Sequence, residues 1–290
     1  MILIADSGST KTDWCLIHSP QTSNDIHIQL SISTQGINPV HQEDAVIRQI
    51  LADELLPQLT KDIVVSEAYF YGAGCTEIYR GKVEAALKET LQLSIDNIHV
   101  YSDLLASARA LCKCEEGLVG ILGTGSNSCL YDGKNIVKNI PPLGYILGDE
   151  GSGAVLGKQF LNGIFKGSLS QDIKDDFLQS AGLTYSDVIQ KVYRQPMANR
   201  FLASISAFIH QHLDNQGVRE LVIGNFQQFI QKNILPYGRP DLPFHCVGSI
   251  AYYYQEELTE ACRREGITLG KVLKAPMEGL IAYHTISAAD

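Results

Sequence analysis

The opening residues, Ile2-Leu3-Ile4-Ala5-Asp6-Ser7-Gly8-Ser9-Thr10-Lys11-Thr12-Asp13-Trp14-Cys15-Leu16-Ile17, carry an apolar run that ends at an aspartate, a loop of small polar residues, and a second strand-like run. The stretch reads as a hairpin whose loop displays amides and hydroxyls. Small residues let a backbone approach an anion closely, and successive N–H groups form a concave nest of donors. Asp6 cannot serve an anion, so in a phosphate loop its job is to hold a hydrated magnesium ion. The same residues also suit an ordinary polar turn, because Asp, Ser and Gly are turn formers. The rest of the chain has to separate the two readings.

A second stretch repeats the pattern. Gly117 to Leu122 is an apolar strand running into Gly123-Thr124-Gly125-Ser126-Asn127-Ser128, followed by Cys129-Leu130-Tyr131 and an Asp132-Gly133-Lys134 turn. Asp-Gly is a strong hairpin signal, and Ile136 to Ile140 supplies a third strand. The first hairpin likewise has a third strand, the alternating run Ile26 to Ile32. Two hairpins with small-residue loops, each heading a three-stranded sheet, imply an internal duplication whose loops face each other across a cleft. Two such nests reach one triphosphate only if their domains approach, so closure on binding is expected.

Between the repeats, Gln42 to Thr60 places Val46, Ile47, Ile50, Leu51, Leu55 and Leu59 on one helical face. A strand over 64–71 ends at Gly72-Ala73-Gly74, a helix spans about 77–93, and a short strand covers 98–101. After Pro141-Pro142 the periodicity predicts helices over 151–165, 171–181, 185–193, 198–214 and 218–235. A strand from Phe244 enters a Gly248-Ser249 turn, a helix covers 250–265, a short strand lies near Val272, and a last helix starts at Pro276.

A chain of 290 residues exceeds the usual size of one hydrophobic core, so two domains are expected. At 45% apolar and 19% charged it is globular, and a net charge of −9 with no basic run argues against nucleic acid and against a polybasic membrane patch. A small-molecule partner fits better. Seven scattered cysteines do not suggest a disulfide framework. Cys112 and Cys114, one residue apart, read as buried helix thiols rather than metal ligands. His210 and His212 lie two positions apart on a helix and face different ways, which disfavours a metal pair. No charged lead precedes the N-terminal apolar residues, and the longest later apolar run, Leu118 to Leu122, is too short to span a bilayer. A cytoplasmic protein is expected.

Asp6 to Thr12, Gly123 to Ser128, Gly148-Asp149-Glu150-Gly151-Ser152 and Val247-Gly248-Ser249-Ile250-Ala251 together resemble the N-acetylglucosamine kinase family. That family belongs with actin, the sugar kinases and the heat-shock-70 chaperones, and is close to the ATPase activators of benzoyl-CoA reductase and 2-hydroxyacyl-CoA dehydratase. The resemblance covers nearly the whole chain. It implies an α/β fold of two duplicated ribonuclease H-like (actin-like ATPase) domains. Residues 1–115 would form the first, completed by the C-terminal helix 276–290, and residues 116–275 the second. It implies a kinase moving the γ-phosphate of ATP to a hydroxyl of an amino sugar, with Mg2+, with no nucleic-acid or membrane partner, and with room for a homodimer.

The resemblance also assigns roles. Ser7, Gly8, Ser9, Thr10 and Lys11 match the first phosphate loop, and Asp6 matches a residue holding magnesium through water. Gly123, Thr124, Gly125 and Ser126 match the second loop, and Gly248, Ser249 and Tyr252 the adenosine turn. Asn38, Gly74, Gly144 and Asp149 match the sugar site, and Asp103 falls where the family keeps its catalytic base. A carboxylate within reach of the attacking hydroxyl suits phosphoryl transfer, although an Asp opening a helix is also a common N-cap. Asp149 and Glu150 could accept sugar hydroxyl protons or simply favour a helix N-terminus. Lys11 reads either as a phosphate partner or as a solvated charge. Many family members carry a tryptophan before the Gly-Asp-Glu-Gly-Ser motif, where this chain has Pro142-Leu143-Gly144-Tyr145.

Other classes predict other residues. An activator ATPase would carry cluster cysteines among glycines, and Ala110-Leu111-Cys112-Lys113-Cys114-Glu115 has none. A non-catalytic nucleotide-binding regulator would have lost Asp103 or a phosphate loop. Zinc-binding glucokinases would need a cysteine cluster.

Overall fold

Short polar turns bring consecutive strands together antiparallel, whereas parallel neighbours need a crossover, usually helical. Both devices recur in the same order in the two halves of a computed structural model of the chain, which describes residues 1–8, 10–18, 28–60 and 62–287. The described residues fall into two units, Met1–Cys114 with Pro276–Asp290, and Glu115–Ala275.

In the first unit β1 (Ile2–Ser7), β2 (Lys11–Ile17) and β3 (Ile28–Gln35) form an antiparallel meander. Helix α1 (Asp44–Ile50), β4 (Glu67–Gly72), α2 (Arg80–Leu91), β5 (Ile98–Ser102) and α3 (Asp103–Cys112) follow. Strands β4 and β5 join parallel, giving the order β3-β2-β1-β4-β5. In the second unit β6 (Glu116–Leu122), β7 (Ser126–Asp132) and β8 (Ile136–Ile140) repeat the meander. Six helices come next: α4 (Gly144–Leu147), α5 (Gly153–Lys166), α6 (Gln171–Ala181), α7 (Tyr185–Tyr193), α8 (Ala198–Ser204) and α9 (Ser206–Gln211). Then α10 (Gln216–Phe229), β9 (Phe244–Val247), α11 (Ser249–Tyr253), α12 (Gln255–Arg264) and β10 (Leu269–Leu273) complete a sheet ordered β10-β9-β6-β7-β8. Helix α13 (Met277–Ser287) returns to the first unit.

The duplication extends to a detail. The helix before the fourth strand of each sheet widens into a π turn, Leu51–Leu55 and Ile230–Ile234, then tightens into a 3-10 turn, Leu56–Gln58 and Leu235–Tyr237. Each 3-10 turn holds a proline, Pro57 or Pro236, which has no N–H for a regular α ladder.

Alternation along the strands gives the first sheet two different faces. Leu3, Ala5, Trp14, Leu16, Ala68, Phe70, Ile98 and Val100 pack with Ile47, Ile50, Val83 and Leu87 of α1 and α2 in one apolar core. The register places Asp6, Tyr71 and Tyr101 side by side on the opposite face, which α3 and α13 cover. The second core gathers Leu118, Leu122, Phe160, Phe226, Phe229 and Phe244 among others.

Several sequence expectations are corrected. The helix expected over 198–214 breaks at Ile205, and that over 250–265 breaks at Tyr254. Residues 64–66 do not join β4, and α4 was not foreseen. Cys112 is buried, but Cys114 is exposed and lies beyond the end of α3. Ser9 and residues 26–27 of the expected third strand lie outside the described residues. Among the described residues no helix is long and apolar enough to cross a membrane.

Candidate active site

Asp6 is the penultimate residue of β1, and its carboxylate sits among other carboxylates. Burial first, then the charges of Asp103 and Asp13, push its pKa up to about 7. Asp103 opens α3 directly after β5. Its pKa is also raised by burial, against the pull of the Leu104 amide, which donates to its Oδ1 at 2.9 Å. The residue capping α3 is Ser102, whose hydroxyl accepts from the Leu105 amide at 3.3 Å. Two desolvated carboxylates therefore stand at the ends of two strands of one sheet, and neither has the job of capping.

The loop after Asp6 is tied down from beneath. Ser7 Oγ lies 2.7 Å from Thr12 Oγ1, donates to the Ile37 carbonyl at 2.9 Å and accepts from the Ile37 amide at 3.0 Å. The Ser7 hydroxyl is thus committed inside the protein, which leaves its backbone to any ligand role. Gly8 and Thr10 are exposed, and exposed Lys11 pairs with Asp13 at 2.7 Å.

Gly36 shapes this loop, and sequence reasoning passed over it. A Cβ there would meet Gly8 O at 2.5 Å, Thr10 N at 2.6 Å and Lys11 N at 2.7 Å, so only glycine lets β3 end against the loop backbone. Its position just before an expected ligand, Asn38, was the available signal. Asn38 and Gly74 are brought together: a Cβ on Gly74 would lie 2.4 Å from Asn38 Oδ1. Asn38 is itself braced by Gln42, whose side chain accepts its amide at 2.7 Å and donates to the Gly36 carbonyl at 2.9 Å.

In the second unit, the Gly123 and Thr124 carbonyls accept from the Gly153 and Ala154 amides at 2.8 and 3.1 Å, seating the loop on the start of α5. Thr124 is exposed at its tip. Asp149 adopts a left-handed φ of 53° and its carboxylate accepts the Ser126 and Gly144 amides, joining two of the expected site segments. Burial raises its pKa against those amides. The space a Gly125 side chain would need is taken by Asp149 Oδ2, 3.0 Å from an added Cβ. Glu150 turns the other way, held by Lys232 at 2.8 Å.

Gly248 needs its positive φ of 123° and its missing side chain, since a Cβ would lie 2.3 Å from the Leu122 carbonyl. The β9–α11 turn therefore lies against the strand end that feeds the 123–126 loop. Beside it a cavity of about 400 Å³ is lined by Ser249, Ile250, Tyr253, Tyr254, Ser206 and His210. Tyr252 is exposed and lines an adjoining groove of about 680 Å³. His210 belongs to this cavity, with its Nε2 3.1 Å from the Tyr253 carbonyl.

Among the described residues no group of three or more His, Cys, Asp or Glu could hold a metal ion. Magnesium takes one or two protein carboxylates and completes its shell with water and phosphate oxygens. Asp6 fits the role: a desolvated carboxylate on which only negative charges act is one that a cation would relieve.

A solved structure from Porphyromonas gingivalis, provisionally named an N-acetylglucosamine kinase, is 49% identical, with 99% of each chain covered and a TM-score of 0.92. The chain belongs to the N-acetylglucosamine kinase family. A Chromobacterium violaceum protein provisionally given the same name is 14% identical over 98% of each chain, with a TM-score of 0.68. A ROK family glucokinase from Streptomyces griseus, solved with glucose and AMPPNP, is 12% identical over 98% of each chain, with a TM-score of 0.56. These last two share the fold, two mixed five-stranded sheets with flanking helices as in the actin-like ATPases. No protein-family model matches the chain, and no curated protein does.

Proposed function

We propose that this member of the N-acetylglucosamine kinase family is an ATP-dependent sugar kinase that transfers the γ-phosphate to a hydroxyl of N-acetylglucosamine or a close relative. The observation that carries the reading is the pair Asp6 and Asp103, two desolvated carboxylates at the ends of β1 and β5, on either side of β4, with Asp103 among the charges that act on Asp6.

Nucleotide binding falls to Ser7, Gly8, Ser9, Thr10 and Lys11, to Gly123, Thr124, Gly125 and Ser126, and to Gly248, Ser249 and Tyr252. The cavity beside Ser249 has room for a nucleoside. The acceptor sugar falls to Asn38, Gly74, Gly144 and Asp149. The two units serve as the kinase's two domains, and an enzyme that consumes ATP works in the cytoplasm.

Asp103 is the base. It takes the proton of the acceptor hydroxyl as that oxygen bonds to the γ-phosphorus and the bond to the β-phosphate oxygen breaks, releasing ADP. Raised affinity for a proton suits a group that must accept one near neutral pH. Asp6 would hold Mg2+, which neutralises charge on the phosphates when bound. Backbone amides of the two loops fix the phosphates, and the Asn38–Gly74 contact orients the sugar.

The test is coupled ADP release with ATP and Mg2+ against a panel of free sugars. Release that depends on an N-acetylated amino sugar is expected. Equal release without any sugar would instead mark an ATPase.

A further inference from the structure

Outside the carboxylate pair, the face of the first sheet covered by α3 and α13 holds a buried polar and aromatic cluster that the proposed chemistry does not use. Arg109 of α3 donates to the Tyr71 hydroxyl at 2.8 Å. Its guanidinium carbon lies 4.3 Å from the Tyr101 ring centre and 5.1 Å from that of Tyr283. Arg109 Nε is buried without a hydrogen-bond partner among the described residues, which the flanking π faces make tolerable. The Tyr71 hydroxyl also lies 2.9 Å from His284 Nε2. Burial, then the charges of Arg109 and His99, push the His284 pKa down to about 3, so its ring is neutral. With Arg109 donating to the Tyr71 oxygen, the tyrosine proton points to His284 Nε2. The chain of donors runs one way, from α3 through β4 to α13.

The two helices also touch backbone to side chain. A Cβ on Gly279 of α13 would lie 2.5 Å from the Ala110 carbonyl of α3, so this crossing admits only glycine. Ala110 is seven residues after Asp103, close to two full turns, and therefore shares its face of α3. Tyr71 is the register partner of Asp6, and Tyr101 that of Tyr71.

We infer that Arg109 is a positioning residue: it clamps α3 to Tyr71 of β4 and to the C-terminal helix, and so sets where Asp103 stands relative to Asp6. The argument is mechanical. Asp103 is the first residue of α3, and Arg109 lies about 9 Å along the axis from it. The Arg109 hydrogen bond goes to Tyr71, so it acts on Asp103 through the placement of α3. A base displaced by about 1 Å loses on the order of 100-fold in rate. The inference rests on the kinase reading of the site.

The experiment measures steady-state kinetics of Arg109→Met, Arg109→Lys and Tyr71→Phe beside thermal unfolding and ADP calorimetry. In a folded Arg109→Met, kcat is expected to fall about 10- to 100-fold, with KM for ATP and sugar and the ADP affinity within about 3-fold of wild type. Arg109→Lys, which keeps a donor for the Tyr71 oxygen, regains part of the rate, and Tyr71→Phe reproduces the fall if Arg109→Met does not fold. A folded Arg109→Met or Tyr71→Phe with wild-type kcat overturns the inference alone, as does a change confined to KM. A wild-type protein without sugar-dependent ADP release overturns the kinase reading and the inference with it.

Discussion

Asp103 differs from an ordinary helix-opening aspartate because its neighbour does the capping. Ser102 Oγ takes the Leu105 amide, while the Asp103 carboxylate bonds the Leu104 amide and is desolvated. The two residues should therefore separate stability from rate. Ser102→Ala is expected to cost about 1 kcal/mol of stability, read by denaturant unfolding, as lost caps usually do. Asp103→Asn keeps the shape and can still bond a hydroxyl but cannot accept its proton, so turnover should fall by roughly 10²–10⁴-fold with sugar and ATP affinity preserved. A rate within a few-fold of wild type would remove Asp103 from the base role. The alternative role of Asp103 as the cap does not hold, because α3 begins at Asp103 itself and Ser102 is its cap.

At the scale of elements, the two small-residue loops and the strands that carry them were legible because their signals are local: apolar runs, Gly-Ser turns and an Asp-Gly hairpin. What was not legible lies in contacts between distant residues. Gly36 touches Gly8, Thr10 and Lys11 across the meander, and Asp149 reaches Ser126, and no periodicity encodes either. The breaks at Ile205 and Tyr254 escape for a similar reason, since apolar spacing continues through both, and the paired π turns answer to prolines whose meaning shows only against the fold. The Gly36 contact predicts a sharp contrast. Gly36→Ala forces a methyl against loop backbone that cannot rotate away, so stability should drop by about 1–3 kcal/mol and nucleotide affinity by about tenfold or more. Gly81→Ala, in α2 with open space around it, should be neutral or gain up to about 1 kcal/mol. Calorimetric ADP titration and urea unfolding of the two variants check both halves, and equal behaviour would show that the loop tolerates movement of β3.

Over the whole molecule, the carboxylates divide by environment, and the division sets how the protein responds to pH. Glu260, Asp241, Asp187, Glu220 and Asp132 are held below the usual range by exposed partners, where screening leaves little net stability. Asp6, Asp103 and Asp149 are raised, each by burial first. A raised carboxylate binds its proton more tightly folded than unfolded, so its contribution runs opposite to that of a salt-bridged one. For Asp6, with a folded pKa of about 7 against 3.8, stability is lost as pH rises from about 4 through 7 and is regained on acidification. Three units correspond to about 4 kcal/mol, enough to outweigh the exposed pairs. The protein without nucleotide is therefore expected to unfold at a higher temperature near pH 5.5 than at pH 7.5. Asp6→Asn should flatten part of that slope, because the amide has no proton to lose. Mg2+ with ADP should flatten it too, raising the pH 7.5 midpoint more than the pH 5.5 one, since a cation beside Asp6 favours the ionised form that burial opposes. Differential scanning fluorimetry from pH 5 to 8, with and without Mg2+ and ADP, reads all three. A midpoint that instead climbs with pH in the wild type, and does so equally in Asp6→Asn, would mean that water reaches Asp6 and that the carboxylate pair at the heart of the proposed site is not desolvated.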